Sequence, residues 1–560
     1  MPKSFFLKNW EIKTPETWSQ NLAKIFLSAR EVENLNELCA DQIENLQNPD
    51  DLRGANEACE IILRKIKTGE KIVIFGDFDL DGISSSAILF QTLQKIGANV
   101  AVILPTRRDG FGLSTKFVDE IIAQKFQLFI SCDCGVSNFN EIAKLNSAGI
   151  TTIITDHHSI DTEKIPAADA ILHPHFCENE KLKNLTGAGV ALKLSQKILQ
   201  KIFGEKFNEN EKFAAKIFKE SPRRFFEKMT ALAALGTVAD VGGLRDENRV
   251  ICKIGLREIR KNENLALAAL AQTAKISPEE IDAEKIAFFL APRLNAAGRL
   301  SHPQIALELL LGKIENAKIL EDLNLRRREM CERAMREILP NLNLKNRATI
   351  AFRENLNPGI IGLISGQLCD RFARPTIVAT KIGKKIVGSC RSCENFNFER
   401  ALRNFKKYFI KAGGHAQAAG FSIRPENFMK FARGFEKFVR EKYSKVDFTP
   451  SLKIDAEINL EILDFKNVEN LMNFGPFGAG FAPPLFCATS PPISNLKKVG
   501  QNLEHLQMKV GKFSAICFRG AEMEKFFEKN KNFKIAFSPE ISTFLNEKRV
   551  QLKVVDVLPI

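Results

Sequence analysis

Five short runs rich in β-branched and other apolar residues recur within one hundred-residue stretch: KIVIF from 71, VAVIL from 100, QLFIS from 127, TTIIT from 151 and DAIL from 169. Helix-compatible segments separate them, at intervals of about 25 residues, the spacing of strand-helix-strand units. A crossover of that length lets each strand run parallel to the last, so the pattern predicts an α/β domain on a parallel sheet. The segment ISSSAILFQTLQKIG after the first run ends on Gly97, and its apolar spacing suits packing against a sheet face.

At 560 residues the chain is too long for a single hydrophobic core. A polar, helix-prone lead-in occupies residues 1–70 and the parallel-sheet domain 71–312, turning mainly helical after about 185. ENAKILEDLNLRRREMCERAMREIL, stopped by Pro340, predicts one long charged helix that connects domains across 313–345. A second α/β domain is expected over 346–448, with RATIAF, RPTIVAT and the glycine-rich AGGHAQAAGFSI. LKIDAEI, FSAICF and RVQLKVVDV predict a small β domain over 449–560.

The balance of 81 Lys+Arg against 67 Asp+Glu, +14 overall, favours a polyanionic partner. The amino terminus lacks the apolar core of a signal peptide, and no later stretch is long and apolar enough to span a bilayer, so a cytoplasmic protein without membrane contact is expected. Twelve cysteines without framework spacing fit reduced thiols. Cys390 and Cys393 form a CxxC with no second pair beside it, which reads as structural.

The chemistry gathers at the strand ends. GDFDLDGISSS places Asp77, Asp79 and Asp81 directly after the first strand, with no lysine or arginine among them. Asp133 in LFISCDCGVSN and Asp156-His157-His158 after TTIIT occupy the same place on their strands. In an open parallel sheet those ends share one crevice, where such folds bind ligands. Each aspartate alone fits a turn or helix cap, and for Asp81 before Gly82 taken alone that reading is favoured. Yet four of the seven histidines, His157, His158, His173 and His175, fall in this one region, and the accumulation points to cations. Carboxylates with one or two imidazoles suit Mn²⁺ or Mg²⁺ better than zinc. Strand alternation predicts that Cys132 and Cys134 both point away from the face of Asp133. Two divalent ions about 3.5–4 Å apart could stabilise the attacking and leaving oxygens of a phosphodiester displacement.

GDFDLDG, the Asp133 segment, TDHH and LGTVADVGGLRDENR together resemble the four motifs of the DHH phosphoesterase superfamily. With LTGAGVALKL, PRLNAAGRL, GSCRS and GGHAQAAGF in this order, the chain from about residue 45 onward resembles the RecJ family of bacterial 5′→3′ single-stranded-DNA exonucleases. The resemblance implies a DHH catalytic domain, a connecting helix, a DHHA1 substrate-binding domain and an OB-type domain around a channel that admits one strand. It implies that Asp79, Asp81, Asp133, His157 and Asp240 bind two divalent ions. Asp77 and His158 would touch an ion or hold a ligand in place, and Asp156 would orient an imidazole. Ser389, Arg391, Ser392, Gly413, Gly414 and His415 would offer donors to a terminal phosphate, with Arg107, Arg293, Asn295 and Arg299 facing the same cleft. For any single arginine a solvated surface charge fits as well; Arg391 and His415 sit inside family motifs.

The chain departs from the family pattern at His173-Pro174 (usually Asn-Pro), at Asn357-Pro358-Gly359 (usually His-Pro-Gly) and at Phe481-Ala482 (usually Asn-Pro). The expected activity is stepwise release of mononucleotides from the 5′ end of single-stranded DNA in repair and recombination. A single-stranded-DNA-binding protein or a helicase would be the protein partner. Two rivals stand beside it: a DHH phosphodiesterase for short oligonucleotides or cyclic dinucleotides, which the third domain opposes, and an inactive DNA-binding replication scaffold, which the retained acids oppose.

Overall fold

A computed structural model describes residues 4–13, 21–110, 112–207, 218–544 and 547–560. The five predicted strands form one all-parallel sheet in the order Asn99–Ile103, Lys71–Gly76, Leu128–Cys132, Thr151–Thr155, Ala170–Leu172. Both faces are covered. Ile72, Ile74 and Ile130 pack under the helices Leu80–Lys95, Gly187–Phe203 and Pro222–Ala239, whereas Val73, Phe75 and Phe129 meet Thr115–Ala123 and Phe139–Ser147. Burial on two sides is why these strands read as unbroken apolar runs.

The helix Leu80–Lys95 starts three residues before its predicted apolar stretch, capped by Asp79. Ser84, Ser85 and Ser86 are fully buried in it. Ser85 and Ser86 donate back to the carbonyls of Asp81 and Gly82 at 2.7 Å each, so these two hydroxyls pass through the core with their polarity spent inside the helix.

The predicted connecting helix spans Asn316–Ile338. Ala317, Leu320 and Leu323 belong to the first domain's core, while Cys331, Ala334 and Ile338 belong to the second domain's. One rod shared by two cores fixes the domains relative to each other.

The second domain carries a mixed five-stranded sheet, Phe409–Gly414, Ala418–Ile423, Lys385–Arg391, Thr376–Ile382, Thr349–Phe352. Its core is phenylalanine-rich, with Phe396, Phe398, Phe421, Phe428, Phe431 and Phe435 in one cluster. The glycine-rich segment, whose composition suggests a loop, is a hairpin: Gly413 pairs with Gly420 and Gly414 with Ala419.

The third domain is a seven-stranded sheet. The lead-in expected to be helical is divided between domains. Asn9–Ile12 is a strand that pairs in parallel with Ser451–Ile454, and Leu22, Ile25 and Phe26 of the helix Leu22–Ala29 lie in the third domain's core. The helix Ala55–Lys67 packs instead on the parallel-sheet domain.

Arg249, from the GLRDENR motif and 3% exposed, joins first and third domains. Its guanidinium donates to the carbonyls of Leu38 at 2.9 Å, Pro476 at 3.0 Å and Gly475 at 3.1 Å, and to that of Phe474. It also lies 4.7 Å over the Phe481 ring. Phe481, one of the departures from the family pattern, is therefore a buried interdomain packing residue and not a free stacking surface for bases.

Deleting residues 449–560 should leave the apolar face of Leu22–Ala29 and the Arg249 guanidinium without partners. The truncated chain is expected to aggregate, eluting in the void volume on size exclusion, where an independent third domain would leave a soluble remainder.

Candidate metal centre

The acids converge because the sheet ends where they begin. Lys71–Gly76 delivers Asp77, Asp79 and Asp81, Leu128–Cys132 delivers Asp133, and Thr151–Thr155 delivers the DHH turn. Asp240 arrives from the carboxyl end of Pro222–Ala239. Three overlapping sets of side chains bring potential ligand atoms within 4.8 Å of one another: Asp77, Asp79 and Asp133; Asp81, His157 and Asp240; and Asp133, His157 and His158.

Backbone amides hold Asp79, Asp81 and the DHH turn. Asp79 Oδ1 accepts from the amides of Asp81 and Gly82 at 3.1 and 3.3 Å, so the cap belongs to Asp79 and not to Asp81. Asp81 accepts from Gly187 at 2.7 Å and Ala188 at 3.0 Å, the first amides of Gly187–Phe203, where a helix amino terminus favours negative charge. Close approach requires glycine there: a Cβ on Gly187 would lie 2.6 Å from Asp133 Cβ, and one on Gly236 2.5 Å from Asp81 Oδ1. Asp156 Oδ1 accepts from the amides of His157 and His158 at 2.7 and 3.1 Å and sits 2.8 Å from His158 Nδ1, while its other oxygen takes the Val136 amide.

The electrostatics are unbalanced. Burial, then the neighbouring carboxylates, push Asp77, Asp81 and Asp133 well above the usual carboxylate range. Burial and Asp79 bring Asp240 up to about 7. Burial and the charge of His158 hold His157 down to about 3, so it stands neutral, with a lone pair free to ligate and no charge to act as a counter-ion. His158 is opposed by burial, but its hydrogen bond to Asp156 and the surrounding carboxylates raise it to about 9. His157 Nε2 lies 3.0 Å from Asp133 Oδ1 and 3.7 Å from both Asp81 and Asp240. Neither His157 Nε2 nor Asp133 Oδ1 makes a hydrogen bond, and Asp77 Oδ1 is likewise buried without a partner. Orphaned ligand atoms aimed at one space are what a divalent-cation site requires.

Cys132 and Cys134 do not join it, though not for the expected reason. The strand ends at Cys132 and Asp133 adopts φ +61°, so alternation breaks and the two thiols enter cores on opposite faces.

Across the cleft, Arg107, Arg299 and Arg391 are close enough to disfavour one another's charge. Arg107 stacks 4.3 Å over Phe78, and its buried Nε has no hydrogen-bond partner. Burial, then Arg107 and Arg327, hold Arg299 down to about 9. Strand alternation sets Ser389 and Arg391 on one face and Cys390 in the core; Arg391 Nη1 lies 3.3 Å from Ser389 Oγ. His415 crosses from the second domain, its Nδ1 3.0 Å from Ser159 Oγ and its ring 6.2 Å from that of His158. Ser159 escapes sequence reasoning, since a serine after DHH carries no signal until its partner is placed.

Other expected substrate contacts are spent on the scaffold. Arg293 pairs with Glu321 at 2.5 Å and donates to the Phe289 carbonyl, bracing the connecting helix. Asn295 accepts from the Leu80 amide at 3.0 Å. Ser392 donates its hydroxyl to the Phe396 carbonyl at 2.6 Å. Gly413 and Gly414 lie in the hairpin's edge strand, and the His415 amide donates to the Ala418 carbonyl at 2.7 Å, so that amide is spent on the hairpin.

A parallel sheet that pools carboxylates with a DHH turn, faced by a second α/β domain, defines a DHH-type protein. The DHH family N-terminal domain matches residues 71–220, the DHHA1 domain 345–441 and the RecJ OB domain 454–556. The chain is 32% identical over 562 residues to the single-stranded-DNA-specific exonuclease RecJ of Haemophilus influenzae, covering 95% of each. It is 28% identical to that of Bacillus subtilis, covering 91% of this chain and 64% of that protein. A crystal structure of exonuclease RecJ bound to manganese superposes with a TM-score of 0.60 at 29% identity, over 71% of this chain and 98% of that one. The chain belongs to the RecJ family of single-stranded-DNA-specific exonucleases. Among the described residues no helix is long and apolar enough to cross a membrane.

The raised acids set a pH dependence. Asp77, Asp81, Asp133 and Asp240 bind more protons folded than unfolded, so without metal their stabilising contribution is complete below about pH 4 and lost as pH rises, by up to about 1.4 kcal/mol per pH unit and group. His158, raised, adds to the loss above about pH 6.5; His157, lowered, opposes it below that, one group against four. In chelator, the melting temperature should fall between about pH 5 and 8. Asp133→Asn should flatten the fall and Mn²⁺ should abolish it, as thermal melts would register.

Proposed function

We propose that this chain uses two divalent ions, Mn²⁺ or Mg²⁺, to remove mononucleotides from the 5′ end of single-stranded DNA. The observation that carries the reading is the pair of disjoint ligand sets, Asp77/Asp79/Asp133 and Asp81/His157/Asp240, whose five carboxylates outnumber the neighbouring charges of His158 and Arg107. The oxygen-rich donor set fits Mn²⁺ or Mg²⁺ better than zinc, and the manganese-bound relative supports the choice. Bound ions would supply Lewis-acid stabilisation of both the attacking and the leaving oxygen.

The protein's own groups do the rest. The Gly187 and Ala188 amides hold Asp81, and Asp156 fixes the backbone and ring that present His157 and His158. Arg107, Arg299 and Arg391 with Ser389 form an anion site beside the acids, suited to a terminal phosphate monoester, whose double charge distinguishes it from an internal diester. Seating that end orients the strand, so hydrolysis falls one nucleotide inward and proceeds 5′→3′. His415 closes on the site from the second domain. We extend the reading to a cytoplasmic enzyme of DNA repair and recombination, working beside a single-stranded-DNA-binding protein or a helicase.

With 5′-labelled DNA, mononucleotides should appear from single strands in Mn²⁺, and neither from duplex nor in chelator; metal-independent or duplex cleavage would overturn the reading. Asp79→Ala, Asp133→Ala and His157→Ala should each fold yet lose at least about a hundredfold in rate, one loss resembling all. Arg391→Ala should slow degradation of 5′-phosphorylated strands far more than it weakens total DNA binding, which many basic residues share. Equal losses on 5′-hydroxyl strands would make Arg391 a backbone contact only.

A further inference from the structure

His173 is 3% exposed and lies outside the ligand sets, directly after the edge strand Ala170–Leu172. Both of its ring nitrogens are engaged. Nδ1 accepts from the His175 amide at 3.1 Å, capping the short turn Pro174–Phe176, and must therefore be unprotonated. The proton consequently sits on Nε2, 2.8 Å from the carbonyl oxygen of His158, to which it donates. His158 is thus pinned from both sides: Asp156 holds its amide and its Nδ1, and His173 holds its carbonyl. The same turn carries His157 before it and Ser159, the partner of His415, after it.

We propose that His173 is a positioning residue of the metal centre, fixing the DHH turn through the His158 carbonyl so that His157 and His158 face the acids without searching. The inference rests on the reading of the strand ends as a metal site. An imidazole suits the task because it presents an acceptor at the cap and a donor farther out on one rigid ring. A carboxamide also pairs an acceptor with a donor, whereas a serine hydroxyl can cap the turn but cannot reach the carbonyl.

Calorimetric titration of DNA-free protein with Mn²⁺ separates these cases. His173→Ser keeps the cap and should fold, yet bind Mn²⁺ about tenfold more weakly or worse, with kcat reduced more than KM. His173→Asn should stay within about threefold of the unsubstituted protein in both. Unchanged Mn²⁺ affinity and kcat in His173→Ser would overturn the proposal, as would a His173→Asn variant as impaired as the serine one. Should His173→Ser fail to fold, His173→Asn decides alone: folded and near normal supports the proposal, folded and impaired overturns it. If the unsubstituted protein bound no Mn²⁺, the metal reading itself would fall and this inference with it.

Discussion

Buried carboxylates that repel one another govern this molecule. Asp77, Asp81 and Asp133 are each 3% exposed or less, and burial, then neighbouring carboxylates with Asp79 common to all three, favours their protonation, a cost that hydrophobic packing cannot offset locally. Much of the surrounding architecture answers it. Helix Gly187–Phe203 is aimed amino end first at Asp81, glycines clear the approach, and neutral His157 is lodged among the acids. These devices moderate the repulsion and leave the rest to a cation.

The cleft is also charge-ordered. Acids line the sheet end, guanidiniums stand opposite, and His415 reaches across from the other domain. A phosphodiester needs both kinds of neighbour, cations at the reacting phosphorus and donors at the group that sets register. Because the connecting helix is built into two cores at once, this opposition is a property of the scaffold.

Much of this was legible in the residues. Period and composition placed the five strands to within about a residue, since strands buried on both faces leave no ambiguity of register, and pooling of Asp and His at their ends marked the cations. The donor side was less legible. Arg293 and Ser392 carry the same functional groups as Arg391 and Ser389, Asn295 adds a carboxamide, and only the fold decides which of them meet a carboxylate, an amide or a carbonyl first. The hairpin at Gly413 and Gly414 was hidden because glycines read as a loop when their partner strand is unknown. Strand alternation does not carry past Cys132 to Asp133 and Cys134, because a left-handed residue that is not glycine leaves no trace in composition.

The pairing of Asn9–Ile12 with Ser451–Ile454 bears on biosynthesis. The Phe6 amide donates to Asp556, a partner 550 residues away. At about 5–20 residues per second, a ribosome separates the two by on the order of a minute. Throughout that interval Leu22, Ile25 and Phe26 lack the third-domain residues that cover them in the folded protein. The helix Leu22–Ala29 can therefore take its packed place only once the third domain has been made.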